Sequence, residues 1–246
     1  MSGPAPLFEI NPALDRSALA GQFARDRRLQ IRDILTAETA AEVRGVLTRH
    51  VPWGIAWQAG GDGPHMVRAE ALTDMKPQES GEISGKLARA MHSGDYAFLY
   101  SCYPILTAYQ EKWDEGSPCD LILEHLNAEP LLDFVRAVTG IAELRKADAQ
   151  ATLYRPGHFL AAHDDSEAAR GRRVAYVLNM TAQEEWRPEW GGCLEFLDEG
   201  GEVTAGFRPR FNALNLFAVP QRHWVSHVAP FAPLGRYAIT GWFRDQ

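Results

Sequence analysis

The sequence predicts an α+β protein in which helices support a jelly-roll core. Residues 1–144 carry apolar positions at helical spacing, whereas residues 145–246 consist of short β-rich runs separated by turns. The later part contains eight such runs, and eight strands in two sheets is the strand number of a jelly roll. We therefore expect a single domain over residues 1–246, with residues 1–144 as a mostly helical support region and residues 145–246 as the β core.

The N-terminal half is predicted to contain both strands and helices. The predicted strands cover residues 29–35 and 53–58, and the predicted helices cover residues 36–50, 83–94 and 124–140. Thr36 or Thr39 can cap the first helix, and Thr39 with Glu42 fits a capping box. Gly94 and Gly140 are the expected end signals of the two later helices, and the last of these can also be a helix pair.

The C-terminal half is predicted to be all β. Its strands are expected in runs that mix β-branched, aromatic and aliphatic residues between turn residues, namely ADAQATLYRPG, HFLAAHDD, RRVAYVLNM, GGCLEFLD, GEVTAGFRP, NALNLFAV, RHWVSHVAPF and RYAITGWF. Eight candidate strands at this spacing favour a sandwich or barrel.

The net charge and the cysteine pattern indicate which partners and which cellular compartment to expect. The formal net charge of −7 argues against nucleic acid or an anionic membrane as a partner. No apolar run is long enough for a transmembrane helix, and the N-terminus lacks the pattern of a signal peptide. Cys102, Cys119 and Cys193 lie far apart without a CxxC pair, which fits a reducing compartment. We expect a cytoplasmic protein.

A metal site is predicted where His163, Asp164 and Asp165 follow a strand-like run. Residues i and i+2 of a strand point the same way, so His163 and Asp165 are expected to converge while Asp164 faces the other side. An imidazole and a carboxylate suit Fe(II), Mn(II) or Zn(II) better than a soft copper site. The alternative is a polar loop at the surface, which an H-x-D pair alone does not exclude.

The third ligand is expected to be a histidine further along the chain. His223 and His227 lie four residues apart in PQRHWVSHVAPF, and on a straight strand they share a face. Only one of them is needed to complete a site of two histidines and one carboxylate.

An anion site is predicted on the last strand. Arg236 stands in the apolar and aromatic run RYAITGWF, where Ala238 and Thr240 share its face. A buried arginine is costly unless it is paired, and its planar guanidinium binds a carboxylate through two hydrogen bonds. The partner is either a bound dicarboxylate, to which Thr240 can add a hydroxyl, or an internal Asp or Glu.

The order of these motifs resembles that of the Fe(II)- and 2-oxoglutarate-dependent dioxygenases, and specifically their prolyl hydroxylase branch. The resemblance covers about residues 150–244 and is specific because many spaced motifs agree in order. The residues that carry it are Tyr154, His163, Asp164, Asp165, RRVAYVLNM, Trp186 with WGGCLEFL, PRFNALNLF, His223 with Val225 and Val228, and RYAITGWF.

The resemblance implies a double-stranded β-helix and assigns roles to individual residues. His163 and Asp165 match the H-x-D metal ligands, and His223 matches the distal histidine because Val225 and Val228 follow it; His227 is the fallback. Arg236 matches the residue that binds the distal carboxylate of 2-oxoglutarate. Thr240 and Tyr154 match residues that support this cosubstrate, and no catalytic side chain is implied beyond the metal ligands.

The implied reaction uses Fe(II), 2-oxoglutarate and O2, with ascorbate as a further candidate cofactor. 2-Oxoglutarate is converted to succinate and CO2 while the substrate is hydroxylated. The branch favours a prolyl residue in a protein as substrate. Two alternatives stay open, namely a hydroxylase of a free amino acid or other small molecule, and a jelly-roll metal-binding module without catalysis.

Two further segments have competing interpretations. Trp53, Trp57, Trp186 and Trp190 line a substrate groove or, as we favour, are packing residues. The run SEAARGRR after the H-x-D pair is a mobile lid or, as the default, a solvated turn.

Overall fold

The computed structural model describes residues 8–166, 171–181 and 186–246. Half of the SEAARGRR segment, residues 167–170, therefore lies outside the described residues. The helices are α1 Arg16–Asp26, α2 Ala37–Arg49, α3 Ala69–Thr73, α4 Pro77–Ser93, α5 Ile105–Glu111, α6 Pro118–Leu126 and α7 Glu129–Thr139.

The strands outnumber the helices and dominate the second half of the chain. They are β1 Arg28–Arg32, β2 Gly54–Ala59, β3 Asp62–Val67, β4 Ala97–Tyr103, β5 Lys146–Ala147, β6 Gln150–Tyr154, β7 Phe159–His163, β8 Arg172–Met180, β9 Leu194–Leu197, β10 Val203–Phe207, β11 Phe211–Ala218, β12 His223–Val225 and β13 Arg236–Arg244. The eight predicted runs correspond to nine strands, since the first run divides into β5 and β6.

The strands form one continuous antiparallel sheet that curls into a nearly closed barrel. Its order is β1-β11-β8-β13-β6-β4-β7-β12-β9-β10, with the β2–β3 hairpin attached to β4 and β5 attached to β13. Sequence neighbours such as β7 and β8 lie far apart in this order, as Greek-key connections require. The predicted α+β class with a jelly-roll core is confirmed.

The main hydrophobic core lies between the helices and one face of the sheet. Helix α7 buries Leu131, Leu132, Val135 and Val138, the stripe that its 3.6-residue period indicates. On the sheet side, alternate residues of β8 and β13 enter the same core, including Tyr176, Leu178, Ile239 and Phe243. The helices thus cover one face of β8 and β13, and the other face of these strands is left for the barrel interior.

Several predicted helix boundaries need correction. The predicted helix over residues 83–94 begins earlier, at Pro77, whose fixed φ suits a first helical turn. The segment 124–140 is a helix pair that breaks between α6 and α7. The predicted capping box of Thr39 and Glu42 is wrong, because Thr36 occupies the cap position and its hydroxyl meets the Thr39 hydroxyl at 2.9 Å.

The N-terminal region also contributes strands to the sheet. Strand β1 pairs with β11 along its whole length, and β4 pairs with both β6 and β7. Residues 1–144 were predicted to be a mostly helical support region, and they contain the helices but also four strands of the sheet, β1 to β4. This shared hydrogen bonding supports our view of residues 1–246 as one domain. Within the described residues, no helix is both long and apolar enough to cross a membrane.

Candidate metal and anion site

Two histidines face each other across neighbouring strands. His163 ends β7, and His223 begins the antiparallel strand β12 directly opposite it. Side chains directly opposite on an antiparallel pair lie on the same face of the sheet, and the two rings are 4.2 Å apart between centroids. The sequence separation of sixty residues is therefore closed by the strand pairing alone.

Asp165 joins the two histidines from a turn. Its carboxylate oxygens lie 3.5 Å from His163 Nε2 and 3.8 Å from His223 Nε2. One nitrogen or oxygen of each of these three residues lies within 4.8 Å of the others, and such a group can hold a metal ion. The carboxylate side chain is largely buried, with 7% of its surface exposed.

The predicted reason for this convergence is wrong, although the two residues do converge. Strand β7 ends at His163, and Asp165 adopts a left-handed backbone with φ of 64°. This turn, and not strand alternation, directs the carboxylate back to His163. Asp164 is exposed, and its Oδ1 accepts hydrogen bonds from the backbone N–H and hydroxyl of Ser166 at 2.9 and 2.6 Å.

Neighbouring groups orient all three candidate ligands. His163 Nδ1 lies 3.0 Å from the Ala161 carbonyl, and His223 Nδ1 lies 2.7 Å from the Gln221 carbonyl. A proton on each Nδ1 leaves Nε2 as the lone-pair donor. The Trp242 indole N–H donates to Asp165 Oδ2 at 3.2 Å.

Burial keeps His223 neutral. Loss of solvation, followed by repulsion from His163, lowers the pKa of His223 to about 4. At neutral pH its Nε2 lone pair is therefore free to bind a metal.

His227 does not join this group. Its ring stacks on Phe159 at 4.2 Å, and the residue is exposed. Four residues separate it from His223, but β12 ends at Val225, so the expectation of a shared face does not apply. The structure therefore brings His223 to His163 and Asp165, and leaves His227 outside.

A cavity of about 180 Å³ extends from the metal-ligand candidates into the barrel. His163, Asp165 and His223 line it together with Arg236. Its walls are mostly apolar or aromatic and include Tyr96, Phe98, Tyr100, Leu160, Ala175, Val177, Leu194, Phe217, Val225 and Trp242. One cavity thus contains both a candidate metal site and a cation.

Arg236 is buried in this cavity without an acid to neutralise it. Only 2% of the residue is exposed, and its Nε and Nη1 atoms have no hydrogen-bond partner. No carboxylate forms an ion pair with it among the residues that the structure describes. Its guanidinium carbon lies 5.0 Å from the centre of the Tyr154 ring, and burial lowers the pKa of Arg236. The predicted alternative of an internal Asp or Glu partner has no support here.

Thr240 and Tyr154 line the same cavity as Arg236. Arg236 lies opposite Tyr154 in the strand register, and Thr240 lies opposite Gln150. Tyr176, which sequence reasoning left undecided, points its side chain to the helix side, where its hydroxyl donates to the Asp148 carbonyl at 2.8 Å.

Sequence reasoning missed the aromatic wall from β4. Tyr96 precedes this strand, and Phe98 and Tyr100 alternate along it toward the cavity. Their period of two was visible in YAFLY, but only the pairing of β4 with β7 shows that this face meets the site. Trp242 could have been predicted to line the cavity, because it follows Thr240 by two residues and continues the face of Arg236 and Ala238.

The four tryptophans considered for a substrate groove are packing residues. Trp57 and Trp186 are buried, and Trp53 and Trp190 pack against apolar clusters. Trp186 also donates to the Gly191 carbonyl at 2.8 Å. None of them lines the cavity that contains the metal-ligand candidates.

The residues present fit an Fe(II) ion and 2-oxoglutarate. Two imidazoles and one carboxylate on one side of a site are the donor set of non-haem Fe(II) oxygenases, and they leave coordination positions open. The unpartnered guanidinium needs an anion of the kind that the distal carboxylate of 2-oxoglutarate supplies.

Comparison with known proteins agrees with this geometry. Residues 149–244 match the family described as 2OG-Fe(II) oxygenase superfamily. Prolyl 3-hydroxylase sudestada1 of Drosophila melanogaster is 31% identical over 112 residues, which is 41% of this chain and 20% of that protein. The match thus spans about one fifth of the relative's length.

Solved structures show the same fold over nearly the whole chain. A Pseudomonas putida prolyl-4-hydroxylase aligns with a TM-score of 0.57 and 18% identity, covering 94% of this chain and 100% of its own. A Trichoplax adhaerens prolyl hydroxylase in complex with a hypoxia inducible factor peptide fragment aligns with a TM-score of 0.52 and 16% identity, covering 94% and 89%. The β core over residues 149–244 is therefore similar to the 2OG-Fe(II) oxygenase superfamily, and the chain as a whole has the fold of these two prolyl hydroxylases.

Proposed function

We propose that this protein is an Fe(II)- and 2-oxoglutarate-dependent dioxygenase that hydroxylates a prolyl residue in a protein. The observation that carries the proposal is the buried, unpartnered Arg236 in the cavity that His163, Asp165 and His223 also line. A metal-binding module without catalysis has no use for a buried cation beside its metal, because desolvating that cation destabilises the fold.

In the proposed reaction, Fe(II) with 2-oxoglutarate supplies the oxidation, in which one oxygen atom of O2 enters the substrate and the other enters succinate as CO2 leaves. His163, Asp165 and His223 would hold the metal through Nε2, a carboxylate oxygen and Nε2. Arg236 would bind the distal carboxylate of 2-oxoglutarate, with Thr240 adding a hydroxyl and Tyr154 packing against the guanidinium.

The cavity walls place mostly apolar and aromatic surface around the reacting groups. Phe217 packs its ring edge-on against His223 at 4.7 Å, and Tyr100 stacks on Tyr154 at 5.1 Å. Burial, followed by repulsion from the Asp165 carboxylate, raises the pKa of Tyr96 to about 12, so its hydroxyl stays a neutral hydrogen-bond donor. A dry, apolar cavity strengthens the interaction of Arg236 with an anion and protects a reactive site from side reactions.

A prolyl residue in a polypeptide is the substrate that we favour. The relative with 31% identity is a prolyl 3-hydroxylase. A second, outer cavity of about 620 Å³ opens next to His163 and Asp165, and it is too wide for 2-oxoglutarate alone. This open space favours a polypeptide over a free amino acid, which remains the alternative substrate.

The remaining expectations concern ascorbate, compartment and other partners. We retain ascorbate as an accessory reductant, a cytoplasmic location, and the absence of nucleic acid or membrane partners as predictions. Burial raises the pKa of Cys102 to about 12 and that of Cys119 to about 11, so both thiols are poor nucleophiles. Unpaired, unreactive thiols suit a reducing compartment.

Cofactor turnover tests the proposal. The purified chain is incubated with Fe(II), ascorbate, 2-oxoglutarate and O2, and succinate is measured with and without proline-containing polypeptides. We expect slow succinate formation without substrate and faster formation with a polypeptide that gains one oxygen atom. Absence of both 2-oxoglutarate binding and succinate formation would disprove the oxygenase proposal. Turnover stimulated by free proline but by no polypeptide would favour the small-molecule alternative.

A further inference from the structure

Two arginines line the outer cavity beside the metal-ligand candidates. This cavity contains Arg172 and Arg222 together with Gln58, Tyr96 and Asp164, and it shares His163 and Asp165 with the inner cavity. The two arginines share this cavity with two carboxylates, but Asp164 is bonded to Ser166 and Asp165 belongs to the metal-ligand candidates. Two guanidinium groups therefore lie where a substrate must enter, in a chain whose net charge is −7.

Arg172 is held in place, and Asp148 and Asp165 attract its charge only from beyond ion-pair distance. Its guanidinium carbon lies 3.5 Å from the centre of the Trp242 ring, and the same indole donates to Asp165. One aromatic ring thus connects the guanidinium to a candidate metal ligand. Stacking covers one face of the guanidinium and leaves the end that carries its two Nη groups for a ligand.

Acidic side chains near Arg172 are already engaged by other groups. Asp148 accepts hydrogen bonds from Arg244 at 2.9 Å and from the Trp242 backbone N–H at 2.7 Å. Asp164 accepts from the backbone and side chain of Ser166. Arg172 forms no ion pair among the described residues, and its Nε is buried without a hydrogen-bond partner.

Arg222 adds a second charge from the segment just before β12. It directly precedes His223, is exposed, and forms no ion pair in the described part of the chain. A carboxylate in the outer cavity would meet Arg172 and have Arg222 nearby. The two Nη groups of Arg172 favour a ligand with two acceptor oxygens, which a guanidinium binds through parallel hydrogen bonds.

We propose that Arg172, assisted by Arg222, binds the side-chain carboxylate of an aspartate or glutamate that flanks the hydroxylated residue in the polypeptide substrate. The inference rests on the proposed prolyl hydroxylase function and adds a specificity to it. Arg172 is a substrate-selecting residue, and the stacking on Trp242 sets where the acidic residue lies relative to the metal.

A peptide library tests the proposal. Short, end-blocked peptides with a central proline and randomised flanking residues are incubated with the full chain, Fe(II), 2-oxoglutarate and O2. Members that gain one oxygen atom are sequenced by mass spectrometry. We expect Asp or Glu to be enriched about fivefold at one flanking position, as one accessible ion pair would give.

Variants assign this preference to Arg172. Arg172→Gln should reduce the acidic enrichment to below about twofold, and Arg172→Glu should favour Lys or Arg at the same position. Arg173→Gln is the matched control, because Arg173 is the next residue but pairs with Asp245 at 2.7 Å on the exposed side, and it should keep the preference. Enrichment within one protein does not depend on how much of it is folded or active.

The outcomes separate this inference from the proposed function. Hydroxylated peptides without acidic enrichment, or with enrichment that persists in Arg172→Gln, would overturn the inference alone. A free amino acid as the preferred substrate, with a KM raised by Arg172→Gln, would reassign the arginines to a free carboxylate and overturn the polypeptide version. Succinate formation without any hydroxylated peptide would overturn the prolyl substrate and this inference together. Absence of succinate as well would remove the oxygenase proposal itself.

Discussion

Arg236 and Tyr154 lie directly opposite each other on β13 and β6, with the guanidinium carbon 5.0 Å from the centre of the tyrosine ring. The negative face of an aromatic ring attracts this cation, but it compensates only part of the cost of desolvating it. A buried guanidinium without a carboxylate partner is a favourable binding site for an anion, and the first prediction tests this property.

Replacement of Arg236 by Met should abolish tight 2-oxoglutarate binding without destabilising the fold. Loss of two charge-assisted hydrogen bonds is expected to raise the Kd for 2-oxoglutarate about 100-fold. The free energy of unfolding of the ligand-free protein should stay equal or rise by about 1 kcal/mol, because an unpaired buried charge is removed. Calorimetry with Mn(II) present measures the first quantity and urea unfolding the second. An unchanged Kd would place the cosubstrate elsewhere, and Arg173→Gln is the control.

Asp165→Ala should lose the metal, whereas Asp164→Ala should keep it. Asp165 lies within 4 Å of both histidines, and Asp164 is occupied by Ser166. We expect Fe(II) or Mn(II) affinity to fall at least about 100-fold in the first variant and to change less than about threefold in the second. Metal content after dialysis measures both. Equal losses in the two variants would contradict the geometry of the turn at Asp165.

His223→Ala should lose the metal, whereas His227→Ala should retain it. His223 faces His163 across the β7–β12 pair, and His227 stacks on Phe159 away from the site. The two variants remove the same side chain from one segment, so each controls for the other. Metal content by atomic absorption decides between them, and retention of metal by His223→Ala would move the ligand to His227.

Trp242→Phe should weaken metal binding by about tenfold. The substitution keeps an aromatic ring beneath Arg172 but removes the indole N–H that donates to Asp165 Oδ2. Groups that orient a metal ligand contribute about this much to affinity. Titration with Mn(II), followed by electron paramagnetic resonance, measures the change. The same affinity as in the original chain would show that the turn alone orients Asp165.

The metal-free protein should lose stability as the pH falls. The pKa of His223 is lowered by burial to about 4, below the ordinary value of about 6.5 in an unfolded chain. The unfolded state therefore takes up a proton first, so the contribution is complete above about pH 6.5 and is lost toward pH 4. We expect a loss of about 2 kcal/mol between pH 7 and pH 5.

Urea unfolding with a chelator present measures this loss. Burial lowers the pKa of His158 in the same direction, so part of the slope should remain in His223→Gln. A slope in that variant equal to that of the original chain would exclude His223 as the source.

Prediction from sequence worked where a residue's chemistry depends on local pattern. The period of two along RYAITGWF placed Arg236 and Thr240 on one face, and the structure shows both lining the same cavity. It failed at Asp165, where the backbone leaves the strand. A left-handed turn, and not strand alternation, directs the carboxylate toward His163. It failed also for the β4 wall, because a strand's facing residues depend on its partners in the sheet.

The sequence by itself determined the α+β class, the jelly-roll core and the residue types of a candidate metal site with two histidines and one carboxylate, because strand and helix periods and ligand chemistry are local properties. Only the tertiary structure decided between His223 and His227, showed Arg236 buried without an acid, and brought Arg172 and Arg222 to one entrance. Each of these depends on strands that are far apart in sequence but pair in one barrel. The alternation of residues along the sequence shows neither where a strand such as β12 ends nor which groups surround a buried cation.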